Sequence, residues 1–382
     1  MAADVLGGIG HALTTGAGLF WKAAWALALG YAISAAIQVF VSPAEAADHL
    51  GGRRPRQLGL AMGLGFASSS CSFAALAATR SLFTKGASLS AALAFMFAST
   101  NLAIEVAALA FVFLGWQYAL ALFVGAPILV AVITALVAVT KPERLAEDAR
   151  RHAAESEGHG MDPAEGLPDG VRDRLRSPLA WQRTGRAYRD EWGMVWKDLL
   201  VGFTVAGVVA ALVPASWFEA LFPTDLPAPI LVPLQALMAP VLAVVTVIGS
   251  MGNGPLAAIL AGNGVVFGAI MAFLYADFVV PPAVRINSAY YGRRFALYLA
   301  GLFAVSAVVT GIAVHGLFAL AGQVPSGGRD VEELATFRLD YTFVLNVIAV
   351  AVAGVLVWLS RRPVDEDEAD GAQAELARDE AS

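Results

Sequence analysis

Long apolar stretches run along most of this chain, and polar side chains break them at only a few places. Windows of mostly apolar residues fall at 18–42, 57–79, 87–115, 117–139, 198–222, 230–261, 264–282, 294–322 and 342–360. Each is close to or above the roughly 20 residues that carry a helix across about 30 Å of hydrocarbon. The pattern predicts about nine transmembrane helices. Ten-residue segments of alternating polarity, the mark of a membrane barrel, are not seen, so a helical bundle is expected. The fold class that follows is an all-α polytopic membrane protein.

The pattern also repeats. Without a gap, "GASLSAALAFMFAS" at 86–99 matches "GVVFGAIMAFLYAD" at 264–277: Gly86 meets Gly264, Ala94 meets Ala272, Phe95 meets Phe273 and Ala98 meets Ala276. Ser90, Ala94 and Ala98 return as Gly268, Ala272 and Ala276. Small residues four apart let helix backbones approach where lipid gives no hydrophobic drive, so both ridges are expected to face protein. Ahead of each ridge a polar break interrupts an apolar segment, "SSSCSF" at 68–73 and, after a short gap in the alignment, "GSMGNGPLAA" at 249–258. Each half then reads as a leading span, a broken span, a small-residue span and a closing span. Four is an even number. It predicts two repeated four-helix halves in parallel orientation, with broken helices at the core.

Composition agrees: 58% of residues are apolar and 15% charged, far from the balance of a soluble domain. A single cysteine excludes a disulfide framework within the chain and a paired-cysteine metal site. The net charge of −6 comes partly from the acidic "VDEDEAD" near the C-terminus, and no basic patch suits nucleic acid. No Walker A sequence and no cofactor motif are read. The expected partners are the lipid bilayer and a small solute, with a homo-oligomer left open.

The chain divides into a first membrane half (1–140), a polar cytoplasmic linker (141–197), a second half (198–322), a loop with a last span (323–360) and an acidic disordered tail (361–382). Trp181, Tyr188, Trp192 and Trp196 share one helical face, which predicts a short interfacial helix at the end of the linker. No basic n-region or cleavage site precedes the first apolar run, so it is expected to stay as a span. Lys and Arg crowd the linker near both flanking spans, and Arg80 and Lys85 lie on the same side. The positive-inside tendency makes that side cytoplasmic, in the inner membrane. On a nine-span topology the basic runs at 51–57, 284–294 and 360–363 fall on the opposite side, against that tendency.

The polar interruptions supply the candidate chemistry. Half-helix ends aimed at the protein interior offer partial charges and backbone groups to a solute. Ser69, Ser70, Cys71 and Ser72 in the first half, and Met251, Asn253, Gly254 and Pro255 in the second, are the expected substrate contacts, joined by Asn101. Pro255 suits the first turn of a new half-helix. The Cys71 thiol is a soft ligand of the kind metals and metalloids prefer, though one thiol needs partners, and Met251 offers a thioether. Glu105 lies one turn after Asn101 inside "STNLAIEVAALAFVF". An ionised carboxylate there costs on the order of 2.5–3.5 kcal/mol on insertion scales, which points to proton or cation coupling. Asp277, the counterpart of Ser99, is the second coupling candidate, and it is interfacial if its span ends near Pro281 and Pro282.

The hairpin "SSSCSFAALAATRSLFTKGASLSAALAFMFASTNLAIE" and its partner "GSMGNGPLAAILAGNGVVFGAIMAFLYADF" resemble the YraQ-type predicted permeases, a group that includes the organoarsenical efflux permeases. The resemblance covers roughly 20–140 and 195–320. It implies a bacterial inner-membrane permease with paired hairpins at its core and, in the efflux branch, trivalent organoarsenicals handled by cysteines. On that mapping Cys71 matches one cysteine of the usual Cys-Ser-Cys, Phe73 stands where the second would be, and Ala75 to Ala77 replace the proline region that Pro255 retains. The function expected is a secondary transporter, of the efflux kind on that resemblance, and not an enzyme. Two other classes remain open. "GSMG" at 249–252 with His315 would serve an intramembrane serine hydrolase, and a channel or non-transporting subunit would need no titrating Glu105.

Overall fold

The computed structural model describes residues 2–40, 55–68, 72–155, 167, 170–325, 327–329, 331–337 and 340–362. These residues are helical with short connections, as lipid requires, since a helix satisfies its backbone N–H and C=O groups within one segment. The first half holds α1 (Ala2–Phe40), α2 (Pro55–Ser68), α3 (Ser72–Thr84), α4 (Leu89–Asn101), α5 (Ile104–Phe113) and α6 (Trp116–Thr140). Between the halves come α7 (Glu143–Glu155) and α8 (Val171–Arg176). The second half holds α9 (Pro178–Leu212), α10 (Ala215–Leu221), α11 (Ala228–Thr246), α12 (Ser250–Gly262), α13 (Phe267–Leu274), α14 (Pro281–Tyr291) and α15 (Arg293–Leu320), followed by α16 (Val331–Leu334) and α17 (Tyr341–Ser360).

The internal repeat governs the whole bundle. Ser250 follows Ser72 by 178 residues, and at that one offset α3 falls on α12, α4 on α13, α5 on α14 and α6 on α15, while α2 and α11 end together. No gap is needed at the polar breaks, so Ser72 matches Ser250 and Cys71 matches Gly249. Gly86 and Gly264 also match, and both take positive φ, 106° and 80°, in the turn before the small-residue helix. Both ridges face protein: Ser90, Ala94, Ala98, Ala272 and Ala276 are buried, and a Cβ added at Gly268 would lie 2.9 Å from the Gly311 carbonyl oxygen.

Three features differ from the expectation drawn from the apolar windows. Among the described residues six helices are long and apolar enough to cross a membrane (α1, α6, α9, α11, α15 and α17), and α4 with α5, bent by 45°, makes a seventh. The windows at 57–79 and 230–261 are each two helices, because the polar residues end one helix and begin another that turns back. Gln235, in the second turn of α11, accepts the Val266 N–H just ahead of α13 at 2.8 Å. Hence α11 and α13 run the same way and α12 returns between them. Even α11, long enough to span, is one arm of a hairpin.

The second difference is the relation of the halves. Equivalent helices run antiparallel. Along α1 and α9, Gly8 lies by Leu212 and Gly16 by Phe203, Tyr31 by Trp192 and Phe40 by Trp181. Along α6 and α15, Gly125 lies by Val314 and Thr140 Oγ1 by Tyr298 OH at 2.8 Å. The parallel orientation is therefore replaced by an inverted one. The cause is the hairpin: it leaves and returns on one side, so the first half makes three passes, α1, α4–α5 and α6, an odd number, and the second half starts from the opposite face.

The third difference follows from the second and removes the charge conflict at 284–294 and 360–363. Arg80 donates to the Ala153 carbonyl and Arg150 to that of Ala87, which fixes the end of α3 at the linker face. Tyr291 and Phe295 pack on Phe83 there, bringing Arg293 and Arg294 to the same face, and Gln182 donates to the Arg362 carbonyl. Arg56 lies in the first turn of α2. Of the basic runs, the described residues Arg293, Arg294 and Arg362 thus share the face of the linker. The interfacial helix is no separate element, since Trp181 to Trp196 form the first turns of the continuous α9. The Gly- and Pro-rich stretch at 158–170 lies mostly outside the described residues, as does the tail beyond 362.

The last helix is latched to the first. Lys22 Nζ donates to Thr342 Oγ1 at 3.0 Å and to Asp340 Oδ2 at 3.4 Å, and Asp340 caps α17 by accepting the Thr342 N–H at 2.8 Å. Burial works against ionisation of Asp340, but the Thr342 hydrogen bonds and the Lys22 charge outweigh it and hold the carboxyl below the usual carboxylate range. A group whose pKa is depressed by folding stabilises fully above its unfolded pKa and stops doing so as pH falls through its folded one. Asp340→Ala is expected to lower stability at neutral pH by about 1 kcal/mol, the usual cost of a lost cap. Thermal unfolding in detergent should show wild type and variant converging at strongly acidic pH. A constant gap would remove the latch from the account.

Candidate functional site

The two polar breaks meet. Ser72 opens α3 and Ser250 opens α12, and their hydroxyl oxygens lie 2.7 Å apart, close enough for one to donate to the other. Because these residues are equivalent in the repeat, their contact places the pseudo-twofold axis between them. Two half-helix N-termini therefore converge at the pseudo-twofold axis, each bringing the partial positive charge of a helix start. Ser69, Ser70 and Cys71 lie outside the described residues. Met251 follows Ser250 in the first turn of α12, but its side chain is outside the described ones. Pro255 sits in the second turn of α12 and not the first, because the helix already starts at Ser250.

Asn253 stands one turn beyond Ser250. Its Nδ2 donates to Asp277 Oδ1 at 2.8 Å, and both residues are buried, at 1% and 2% exposure. Asp277 is therefore enclosed by protein. It lies in the turns that separate α13 from α14, while Pro281 and Pro282 open α14, where their missing N–H groups cost nothing. The outer atoms of this pair, Asn253 Oδ1 and Asp277 Oδ2, have no protein partner. Beside Asp277, the Phe278 ring packs edge-on against Phe97 at 5.2 Å. One turn after Phe97 comes Asn101, the last residue of α4, wholly buried with neither amide atom hydrogen-bonded. An unpaired buried amide costs about 1–3 kcal/mol.

Glu105 is wholly buried in the first turn of α5. It does not continue the face of Asn101 as the spacing suggested, because the chain leaves the helix at Leu102 and Ala103 and bends. A Cβ at Gly30 of α1 would lie 2.6 Å from the Glu105 Cβ and 2.8 Å from its Cα, so only glycine lets α1 approach this backbone. Gly254 is buried against Leu109 and Phe113 of α5, which ties α12 to the same helix. The geometry thus gathers Ser72, Ser250, Asn253 and Asp277 at the core and sets Asn101 and Glu105 on the α4–α5 bend, packed through α5 against α12.

Sequence reasoning missed Asp198. It reads as the first residue of an apolar window, yet a Cβ on Gly249 would lie 3.0 Å from its Oδ2, which puts this carboxylate beside the α11–α12 tip, one residue from Ser250. The signal was available, since Asp198 is an acid flanked by apolar residues on its C-terminal side. Val247 at that tip holds φ 55°, the left-handed region that a β-branched side chain enters only under strain. The Ser–His pairing is not assembled: the Ser250 hydroxyl meets Ser72, while His315 Nδ1 accepts the Gly268 N–H at 3.2 Å. Among the described residues no cluster of three His, Cys, Asp or Glu side chains could hold a metal.

A family profile described as a predicted permease, ArsP_1, matches residues 8–316. A Mycobacterium tuberculosis protein named as a permease, Rv2963, is 39% identical over 363 residues, covering 94% of this chain and 89% of the relative. No solved structure matches the chain.

Proposed function

The chain belongs to the ArsP_1 family of predicted permeases, and we propose that this membrane permease is a secondary transporter with its solute site at the pseudo-twofold axis. The observation that carries the reading is the contact of the equivalent hydroxyls of Ser72 and Ser250 at the meeting of two half-helix N-termini. An inverted repeat gives a transporter two related arrangements, open to one face or the other, around a fixed central site. Ser69, Ser70, Cys71, Ser72, Met251, Asn253, Gly254 and Pro255 line that site in this reading, and Asn101 offers both a donor and an acceptor. Cys71 gives the site one soft ligand, which suits a metalloid-type cargo and transport outward. Glu105 and Asp277 couple the cycle to protons or another cation. Gathering Arg293, Arg294 and Arg362 on the linker face supports a cytoplasmic linker in the inner membrane.

The test joins the halves at their axis. In full-length protein that keeps Cys71, the pair Ser72→Cys and Ser250→Cys is expected to form a disulfide on mild oxidation, with the single Ser72→Cys and Ser250→Cys variants as controls. The cargo is first identified by challenging a deletion strain with metalloids, metals and drugs. In inverted membrane vesicles the oxidised pair should then stop transport of that compound, and reductant should restore it. Transport that proceeds unchanged through the cross-link would show that the halves do not move about this axis.

A further inference from the structure

Two acids on α9 have no place in the site as described. Glu191 and Asp198 are seven residues apart, two helical turns, and so share one face. Glu191 is buried at 1% exposure where α9 crosses α1, on the linker side of the seam between the two halves. Gln38 Nε2 donates to its Oε1 at 2.6 Å, Ser34 also hydrogen-bonds it, and its Oε2 has no partner. Asp198, half-buried, lies against Gly249 beside Ser250. Neither carboxylate has a cation in a salt bridge among the described residues.

The surroundings are polar but mostly uncharged. From α1 come Tyr31, Ser34 and Gln38; α12 carries no titratable residue; α17 meets α9 at Gly185 through Leu356, Leu359 and Ser360. Of the three arginines of α8, Arg172 and Arg176 are exposed and the buried Arg174 points its Nη1 at the Phe40 carbonyl at 3.5 Å. On α9 itself Arg186, Arg189, Asp190 and Lys197 are exposed, and Lys197 lies over Trp196. The unpaired Oε2 of Glu191 lies one helical turn from Tyr188, a buried residue hydrogen-bonded to Trp192. A buried carboxylate without a cation is costly to keep ionised, which makes proton binding the natural response.

We propose that Glu191 and Asp198 are proton-binding stations that carry protons along α9 from the linker face to the hairpin tip at Gly249 and Ser250. Each station is a carboxylate that takes up one proton as carboxylic acid and passes it on, through ordered water, toward the Asn253–Asp277 pair. The inference deepens the proposed coupling and rests on the reading of Asp277 and Glu105 as the coupling carboxyls.

The experiment needs no cargo. Full-length protein in phosphatidylethanolamine–phosphatidylglycerol vesicles is titrated while the carboxylic C=O stretch is followed by infrared difference spectroscopy, for wild type, Glu191→Gln and Asp198→Asn. Each variant is expected to lose one titrating component, with the helical content unchanged. In a second measurement the vesicles pass into deuterated buffer. The component assigned through Asp277→Asn should exchange on the order of a hundredfold more slowly in Glu191→Gln, the scale of a lost proton-transfer group. Titration or exchange unaltered by either substitution would overturn the proposal. If both components titrate but transport ignores the proton gradient in wild type, the coupling reading fails and the stations stand.

Discussion

Gly207→Leu is expected to leave almost no folded protein. At the crossing of α1 and α9 a Cβ on Gly207 would lie 2.8 Å from the Gly16 amide nitrogen and 3.0 Å from the Gly16 Cα, and a Cβ on Gly16 would lie 2.7 Å from the Phe203 carbonyl oxygen. These neighbours are backbone and cannot turn aside as a side chain does. Even Gly207→Ala should cost about 1–3 kcal/mol by overpacking, and leucine adds three more carbons where none fits. The matched controls are Gly301→Ala and Gly316→Ala on α15, where nothing lies within 4 Å and alanine should be neutral or favourable by up to about 1 kcal/mol. Size-exclusion profiles and unfolding temperatures in detergent decide it. A Gly207→Leu protein as stable as wild type would mean that α1 and α9 do not meet as described.

The largest functional loss is expected at the two core acids. Asp277→Asn keeps an oxygen to accept from Asn253 and so keeps the fold, but it removes the carboxyl assigned to coupling in the proposed function. Glu105→Gln does the same on α5. Each should lower gradient-driven transport on the order of tenfold or more and flatten its pH profile. Asp277→Leu would instead leave the Asn253 amide unpaired, at about 1–3 kcal/mol of stability, so lower protein yield separates damage to the fold from loss of coupling. Activity undiminished at every pH in Glu105→Gln and Asp277→Asn together would exclude these carboxyls from coupling.

The parts of this molecule legible in sequence are those that depend on near neighbours along the chain. Apolar windows gave helices, and the match of Gly86 with Gly264 gave a repeat whose two turns share a left-handed glycine. The polar residues at 68–73 and 249–258 marked where helices stop. Glu105 stood out because an acid among apolar residues needs a reason. What hydropathy could not convey is direction. A run of apolar residues reads the same whether it crosses the membrane or folds back on itself, so the hairpins at 57–79 and 230–261 counted as spans and the parity of each half came out even. That one miscount turned an inverted repeat into a parallel one and scattered the basic runs over both faces.

The same limit hid Asp198, whose place beside Gly249 depends on α9 packing across α12. It also hid Glu191, which looks like one more charge of a polar linker until α1 covers it with Gln38 and Ser34.

The sequence by itself determined that this is a helical membrane protein of the permease family, built twice over, with polar breaks and rare acids where apolar residues would be stable. Only the tertiary structure decided that the halves are inverted, that Ser72 meets Ser250, that Asp198 lies beside Gly249 and that α1 covers Glu191. Helix formation is settled by residues a turn apart, whereas these contacts join residues far apart along the chain, 178 positions in the case of Ser72 and Ser250, brought together by close packing of backbone at glycine.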